Sequence, residues 1–236
     1  MCIKVTNLEA NSLIFGLDFR LIPFFKGLIL EKYSLSPIEI GKYGLKTKSS
    51  DFTIMNIKTT PLEGLLEIYP KVWKDSRGYF FESYRNDWLA DHGMDIQWMQ
   101  ENQSFSKAGT VRGLHFQRAP FAQAKLVRVI SGRVLDVAVD LRKGSKTFGS
   151  YFAIELDAEL HNMLLIPEGF AHGFSALEDS VFTYKCSNVY NKESEGGVLW
   201  NDPDLGIDWE VKHPILSEKD LELPTLREFI ERYGEL

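Results

Sequence analysis

Cysteine is almost absent from this chain: 236 residues contain two, Cys2 and Cys186, with no CxxC pair and no histidine beside either. That excludes a disulfide framework and a thiolate zinc site, and it predicts free thiols in a reducing cytoplasm. Positive charge is not in excess either. Lys and Arg number 27 against 33 Asp and Glu, a formal net charge of -6, so no global field invites a nucleic acid. A local arginine cluster can still oppose the overall sign and take a phosphate group. Long apolar runs are missing as well. The most apolar early stretch, residues 14–33, is broken by Asp18, Arg20, Pro23, Lys26 and Glu31, which leaves no bilayer-spanning segment and no signal peptide. There is no internal repeat and no low-complexity tract. What remains is a globular composition, 44% hydrophobic and 13% aromatic, in a chain long enough to bury a core.

Residues 1–54 differ in character from the rest: short apolar clusters separated by Gly, Pro and charges, then a polar tail over residues 46–51. Two readings are open. They are an appendage arising from an upstream start codon, or an extension that docks through its apolar clusters. The sequence is read here as an N-terminal extension, residues 1–54, poorly ordered, followed by a principal domain, residues 55–236. From Leu65 onward, β-branched and aromatic residues alternate with turn formers, the pattern of many short strands. The expected strands are residues 79–85, 111–116, 125–131, 133–141, 150–156, 163–166, 172–177, 180–189 and 197–201. Ser131-Gly132 predicts a tight hairpin between the third and fourth. In the fourth, Leu135, Val137, Val139 and Leu141 share a core face, while Val134, Asp136, Ala138 and Asp140 share a face carrying polar groups. Eight or more short strands in one domain make an all-β, double-sheet barrel or jelly roll. Two peripheral helices are expected: a turn capped by Asn86 and stopped at Gly93, and a terminal helix opened by a Thr225/Glu228 capping box with Leu226, Phe229, Ile230 and Tyr233 as its apolar stripe.

The residues with chemical potential centre on Arg-Gly-Leu-His-Phe-Gln at 112–117. Strand alternation puts Gly113, His115 and Gln117 on one face and Arg112, Leu114 and Phe116 on the other. A second histidine, His172, follows a Pro-Glu-Gly turn. Two histidines in one barrel raise the idea of a metal, but Gln117 stands where a second ligand would be expected and no acid is close, a poor divalent site. The plainer reading of both histidines is hydrogen-bonded core residues.

Taken together with Arg-Gly-Tyr-Phe-Phe-Glu at 77–82, Gln-Glu-Asn-Gln-Ser at 100–104, Lys-Leu-Val-Arg at 125–128, residues 166–174, Phe-Thr-Tyr-Lys at 182–185, Leu-Trp-Asn-Asp-Pro-Asp at 199–204 and Leu-Ser-Glu-Lys-Asp at 216–220, the chain resembles the dTDP-4-dehydrorhamnose 3,5-epimerase family over about residues 55–223. The resemblance implies a cupin-type jelly roll, a homodimer in most members, no metal or other cofactor, and a place in making dTDP-L-rhamnose for surface polysaccharides. Its substrate would be a dTDP-linked 4-keto sugar, whose C-H bonds at carbons 3 and 5 are acidic because either anion delocalises onto the carbonyl oxygen. Inverting both centres requires a base on one face, an acid on the other and a positive group at the oxygen.

By the same resemblance His115 is the base, and an imidazole, with an ordinary pKa near 6.5, suits that task. Asp220 is its carboxylate partner, Tyr184 the acid and Lys125 the group near the carbonyl oxygen. Arg77 and Arg112 would bind diphosphate; Glu82, Gln100 and Asn102 would contact the nucleoside, part of that pocket coming from a neighbouring subunit; His172, Glu195 and Lys219 are further ligand contacts. Each has a plainer reading: a helix cap for Asp220, amphipathic packing for Tyr184, a solvated strand start for Lys125. Asn191-Lys192-Glu193, where the family often has Pro, is a small departure. The alternatives are a mono-epimerase acting at one carbon, a non-catalytic sugar-nucleotide-binding cupin and a metal-dependent jelly-roll oxygenase.

Overall fold

The computed structural model of the protein describes residues 55–234 and 236, with the backbone of residues 39–41 and 44–46. The chain divides into two units, Met1–Phe52 and Thr53–Leu236. In the first, β1 (Glu39–Gly41) pairs antiparallel with β2 (Gly44–Lys46). The expectation of a poorly ordered extension otherwise falls outside the described residues.

The second unit is a jelly roll of two antiparallel sheets. One contains, in spatial order, β3 (Met55–Thr59), β4 (Leu66–Pro70), β12 (Met163–Ile166), β9 (Lys125–Ser131), β14 (Ser180–Cys186) and β7 (Gln100–Ser106). The other contains β11 (Tyr151–Asp157), β10 (Arg133–Asp140), β13 (Phe170–Ala176), β8 (Val111–Gln117) and β15 (Glu195–Gly197). A separate hairpin, β5 (Trp73–Asp75) with β6 (Gly78–Phe80), stands apart from both. The all-β double-sheet architecture expected from the strand pattern is the one observed.

Three apolar clusters show why the sheets stack as they do. Between them, Val127, Val129, Leu164, Ile166 and Phe182 of the six-stranded sheet meet Val134, Ala138, Leu156, Phe170 and Phe174 of the five-stranded one. Outside the five-stranded sheet, Leu114, Phe116, Leu135, Val137 and Val139 pack under Leu226 and Phe229 of the terminal helix. Outside the six-stranded sheet, Leu66, Ile68, Leu126 and Met163 are covered by Trp88 and Leu89. Each buried Leu, Val or Phe side chain contributes about 1.5–3 kcal/mol. Both faces of both sheets are therefore covered, so β10 is buried on its two sides, and Asp136 and Asp140 are fully buried rather than carried on a solvated face.

Other expectations change with this arrangement. Ser131-Gly132 is not a hairpin: β9 pairs with β12 and β14, β10 pairs with β11 and β13, and Gly132 turns the chain from one sheet into the other. No side chain fits there, because a Cβ would lie 2.4 Å from the Asp179 carbonyl oxygen. The expected strand 79–85 stops at Phe80, and the expected strand 197–201 is instead Glu195–Gly197. The strands β3, β4, β5 and β7 were not foreseen; β7 carries mostly polar residues, which hide it from a hydrophobic pattern. The turn expected after Asn86 is a short 3-10 segment, Ala90–His92, ended by Gly93 in the left-handed conformation that Gly adopts freely. Two helices follow, α1 (Glu218–Leu221) and α2 (Leu226–Tyr233). The Thr225/Glu228 capping box is present. Only half of the α2 stripe is buried: Leu226 and Phe229 are inside, whereas Ile230 and Tyr233 are exposed.

Candidate active site

The inner faces of the two sheets enclose a cavity of about 310 Å³. One wall is the five-stranded sheet, from which β8 supplies Arg112 and His115 and β13 supplies His172. The facing wall is the six-stranded sheet, with Lys125 on β9 and Tyr184 on β14. α1 and its cap bring Ser217, Lys219 and Asp220 to the opening.

Simple alternation along β8 fails at one point, and that failure makes the site. Leu114 and Phe116 do point outward into the core beneath α2, as expected. Arg112, however, lines the same cavity as His115. The pairing of β13 with β8 runs His172 to His115 and then Phe174 to Arg112, so three steps on β8 match two on β13. One extra residue on β8 is a β-bulge, which re-aims the side chains that precede it. Gly113 is the residue that permits it, with φ of 130° and a position where a Cβ would lie 2.5 Å from the Gly173 Cα.

His115 and Asp220 are 105 positions apart and joined by a hydrogen bond of 2.6 Å from His115 Nε2 to Asp220 Oδ1. The second carboxylate oxygen accepts from Ser217 Oγ at 2.8 Å. Burial works to raise the Asp220 pKa, but the hydrogen bonds from His115 and Ser217, with the nearby Lys219 charge, outweigh it and hold the carboxyl below its usual value. An ionised carboxylate only accepts. The proton on His115 therefore sits on Nε2, and Nδ1 is left as the free lone pair. The same serine hydroxyl also accepts from the Asp220 N–H at 3.2 Å, so the capping motif expected at Asp220 is present, with Ser217 as the cap, and does not prevent the Asp220 carboxylate from meeting His115.

Tyr184 packs beside Phe182, ring centroids 5.9 Å apart. Burial, reinforced by Cys186 and Glu195, pushes its phenol above its usual pKa of 10 against the opposing pull of Asn102 and Arg112. It is thus a protonated acid at neutral pH. Lys125 is pushed below 10.5 by desolvation, an effect that Cys186, Asp136 and Glu195 oppose. His172 is buried and its Nε2 lies 2.9 Å from Asp136 Oδ2; burial lowers its pKa more than Asp136 raises it.

The remaining expected residues divide in two. Glu195 reaches the opening, where Lys219 Nζ lies 2.5 Å from Oε1 and the Tyr190 hydroxyl donates to Oε2 at 3.0 Å; these bonds outweigh burial and lower its pKa. Gln100 and Asn102 lie together on β7, joined at 2.8 Å, and the Gln100 oxygen accepts from the Tyr190 N–H at 2.8 Å. Arg77 and Glu82 do not come to the cavity. Arg77 is 88% exposed at the tip of the β5–β6 hairpin and is engaged by Asp75, and Glu82 accepts from the Trp88 indole at 2.9 Å. Gln117 is tied to loop backbone, donating to Phe121 O and Val189 O and accepting from Asn191 N. Among the described residues no group of three or more His, Cys, Asp or Glu is placed to hold a metal ion. Ser104 and Phe174, which line the cavity, and Asp136, which meets His172 behind it, were not expected as site residues; the signal available for Asp136 was an acid in the middle of an otherwise apolar strand.

A family model described as dTDP-4-dehydrorhamnose 3,5-epimerase matches residues 59–228. The chain is 47% identical over 173 residues to a dTDP-4-dehydrorhamnose 3,5-epimerase of Methanothermobacter thermautotrophicus, covering 72% of this chain and 93% of the relative. Among solved structures it resembles the dTDP-4-dehydrorhamnose 3,5-epimerase of Elizabethkingia anophelis, with a TM-score of 0.72, 47% identity, and coverage of 74% of this chain and 98% of that one. The Legionella pneumophila dTDP-6-deoxy-D-glucose-3,5-epimerase, solved in complex with dTDP-4-keto-L-rhamnose, is 41% identical with a TM-score of 0.71, covering 73% of this chain and 93% of its own.

Proposed function

This chain belongs to the dTDP-4-dehydrorhamnose 3,5-epimerase family, and from that premise we propose how its own residues perform the reaction. The enzyme converts dTDP-4-dehydro-6-deoxy-D-glucose to dTDP-4-dehydro-L-rhamnose by inverting carbons 3 and 5. His115 Nδ1 removes the proton next to the 4-keto group from one face. Asp220, bonded to Nε2 at 2.6 Å, fixes the tautomer and stabilises the imidazolium that forms. The electron pair moves onto the carbonyl oxygen, where the Lys125 side chain stabilises the enolate. Tyr184, on the facing sheet, returns a proton to the opposite face, and the same exchange is repeated at the second carbon.

The observation that carries this reading is the placement of a carboxylate-backed imidazole and a protonated phenol on facing walls of one cavity. A binding protein has use for the arginines but none for that acid and base pair. Arg112, on the cavity wall, would take the diphosphate. Arg77 and Glu82, remote from the cavity of their own chain, fit a homodimer in which the β5–β6 hairpin of one protomer completes the nucleotide pocket of its partner. The exposed Tyr79 and Phe80 of that hairpin support such a contact. The scarcity of cysteine supports the cytoplasm as its location.

Incubation with dTDP-4-dehydro-6-deoxy-D-glucose in heavy water tests the reading. It expects deuterium at both carbon 3 and carbon 5; uptake at one carbon only would make the protein a mono-epimerase, and uptake at neither would falsify the catalytic assignment.

A further inference from the structure

Within the Arg-Gly-Leu-His-Phe-Gln run, Arg112 and His115 line the cavity, Gly113 makes the bulge, and Leu114 and Phe116 enter the core. Gln117 does none of these. It is 6% exposed, and its amide engages the segment that joins β14 to β15. Residues 187–194 of that segment belong to neither sheet, so their backbone groups need partners outside a strand ladder. Gln117 serves two of them: Nε2 donates to Val189 O at 3.1 Å, and Oε1 accepts from the Asn191 N–H at 2.7 Å. Nε2 also donates to Phe121 O at 2.7 Å, which anchors the amide to the chain just beyond β8. Tyr190, between the two clasped residues, gives its own N–H to Gln100 Oε1 at 2.8 Å.

This clasp places part of the rim of the cavity. The Tyr190 hydroxyl donates to Glu195 Oε2 at 3.0 Å, Glu195 Oε1 lies 2.5 Å from Lys219 Nζ, and Lys219 precedes Asp220, the partner of His115. Glu195 is also the residue paired with Gln117 between β15 and β8. Both ends of the run from Val189 to Glu195 are therefore fixed relative to one buried side chain. Tyr190 is itself 54% exposed, so burial does little to hold it. Gln123 and Arg118 tie Asn188 O and Glu193 O on either side, which confines the effect of Gln117 to the stretch around Tyr190.

Resting on the epimerase reading above, we propose that Gln117 is a positioning residue: its amide brackets Tyr190 and holds segment 189–195 against Lys219, so that the mouth of the cavity is formed before the sugar nucleotide arrives. A rim in place for only part of the time weakens apparent affinity by that fraction, because ordering it on binding opposes association. The chemical step is left alone, since the Asp220 carboxylate is held by Ser217 and His115 rather than by the rim.

The test is Gln117→Met in the full chain, which keeps the length of the side chain and removes its donor and acceptor. KM for dTDP-4-dehydro-6-deoxy-D-glucose, read from deuterium uptake, should rise about tenfold, as for a rim in place about one-tenth of the time, with kcat within about twofold of native. A variant that is only less stable contains less active protein, which lowers kcat and leaves KM alone. Amide hydrogen exchange followed by NMR should find the Asn191 N–H protected in the native protein and released in the variant, with the amides of β10 and β13 unchanged. A folded variant with native KM, a loss confined to kcat, or an unprotected Asn191 amide in the native protein would overturn the proposal. Should the variant not fold, the native Asn191 measurement decides. Failure of the epimerase reading itself appears separately, as absence of deuterium uptake by the native protein, and the Asn191 amide then still reports whether the clasp exists.

Discussion

Asp220 never needs to touch the sugar to matter. It accepts the Nε2–H of His115 and is itself held by Ser217, so in the proposed mechanism its charge both selects the tautomer and stabilises the imidazolium. Asp220→Asn keeps the size and removes the charge; the expected result is a fall in kcat on the order of 10²- to 10⁴-fold with little change in KM, measured by steady-state epimerisation. A comparable rise in KM with kcat preserved would mean that Asp220 serves binding instead. Its depressed pKa sets the sign of the pH effect. The ionised form is favoured in the folded protein, so the pair is intact above the ordinary carboxylate pKa of about 3.9 and is lost as pH falls through the lower folded value. Tyr184, shifted the other way, keeps its proton through neutral pH and up to the ordinary phenol range near 10. These residue identities were legible because each lies in a motif, but the pairing of residues 115 and 220 was not legible from spacing or alternation, since only the folded barrel brings the end of the chain to β8.

At the scale of elements, the bulge on β8 is the feature that alternation could not reveal. A period of two put Arg112 opposite His115, and one added residue at Gly113 puts them on the same side. Replacing Gly113 with Ala places a Cβ against Gly173 at a φ of 130°, and is expected to cost about 4 kcal/mol or more, seen as a lost or sharply lowered thermal midpoint; an unchanged midpoint would show that the bulge relaxes freely. The two-sheet membership of β9 and β10 was hidden for a related reason. Their alternation, with a Ser-Gly between, reads equally well as a hairpin and as a corner, and what decides is that both faces of β10 find apolar cover. Strands bounded by strong apolar runs, such as β9 and β12, were legible to the residue. The polar edge strand β7 was not, because its stability comes from pairing with β14 rather than from its own burial.

At the scale of the molecule, Arg77 at the hairpin tip pairs with Asp75 and is 88% exposed. The account therefore expects a native mass about twice the 27.0 kDa of one chain, and an Arg77→Ala variant whose affinity for dTDP falls about tenfold, equal to about 1.4 kcal/mol, with kcat retained. A monomer, or unaltered dTDP affinity, would remove the hairpin from the site. The larger consequence of two stacked sheets is that His115 and Tyr184 belong to different walls, so that in the proposed mechanism a sugar between them would expose opposite faces to base and acid. The most direct test is Tyr184→Phe, followed in heavy water for both isotope content and configuration. With the base intact and the facing acid gone, deuterium should still enter next to the keto group while the configuration is retained. Inversion at carbons 3 and 5 at the native rate in that variant would contradict the account.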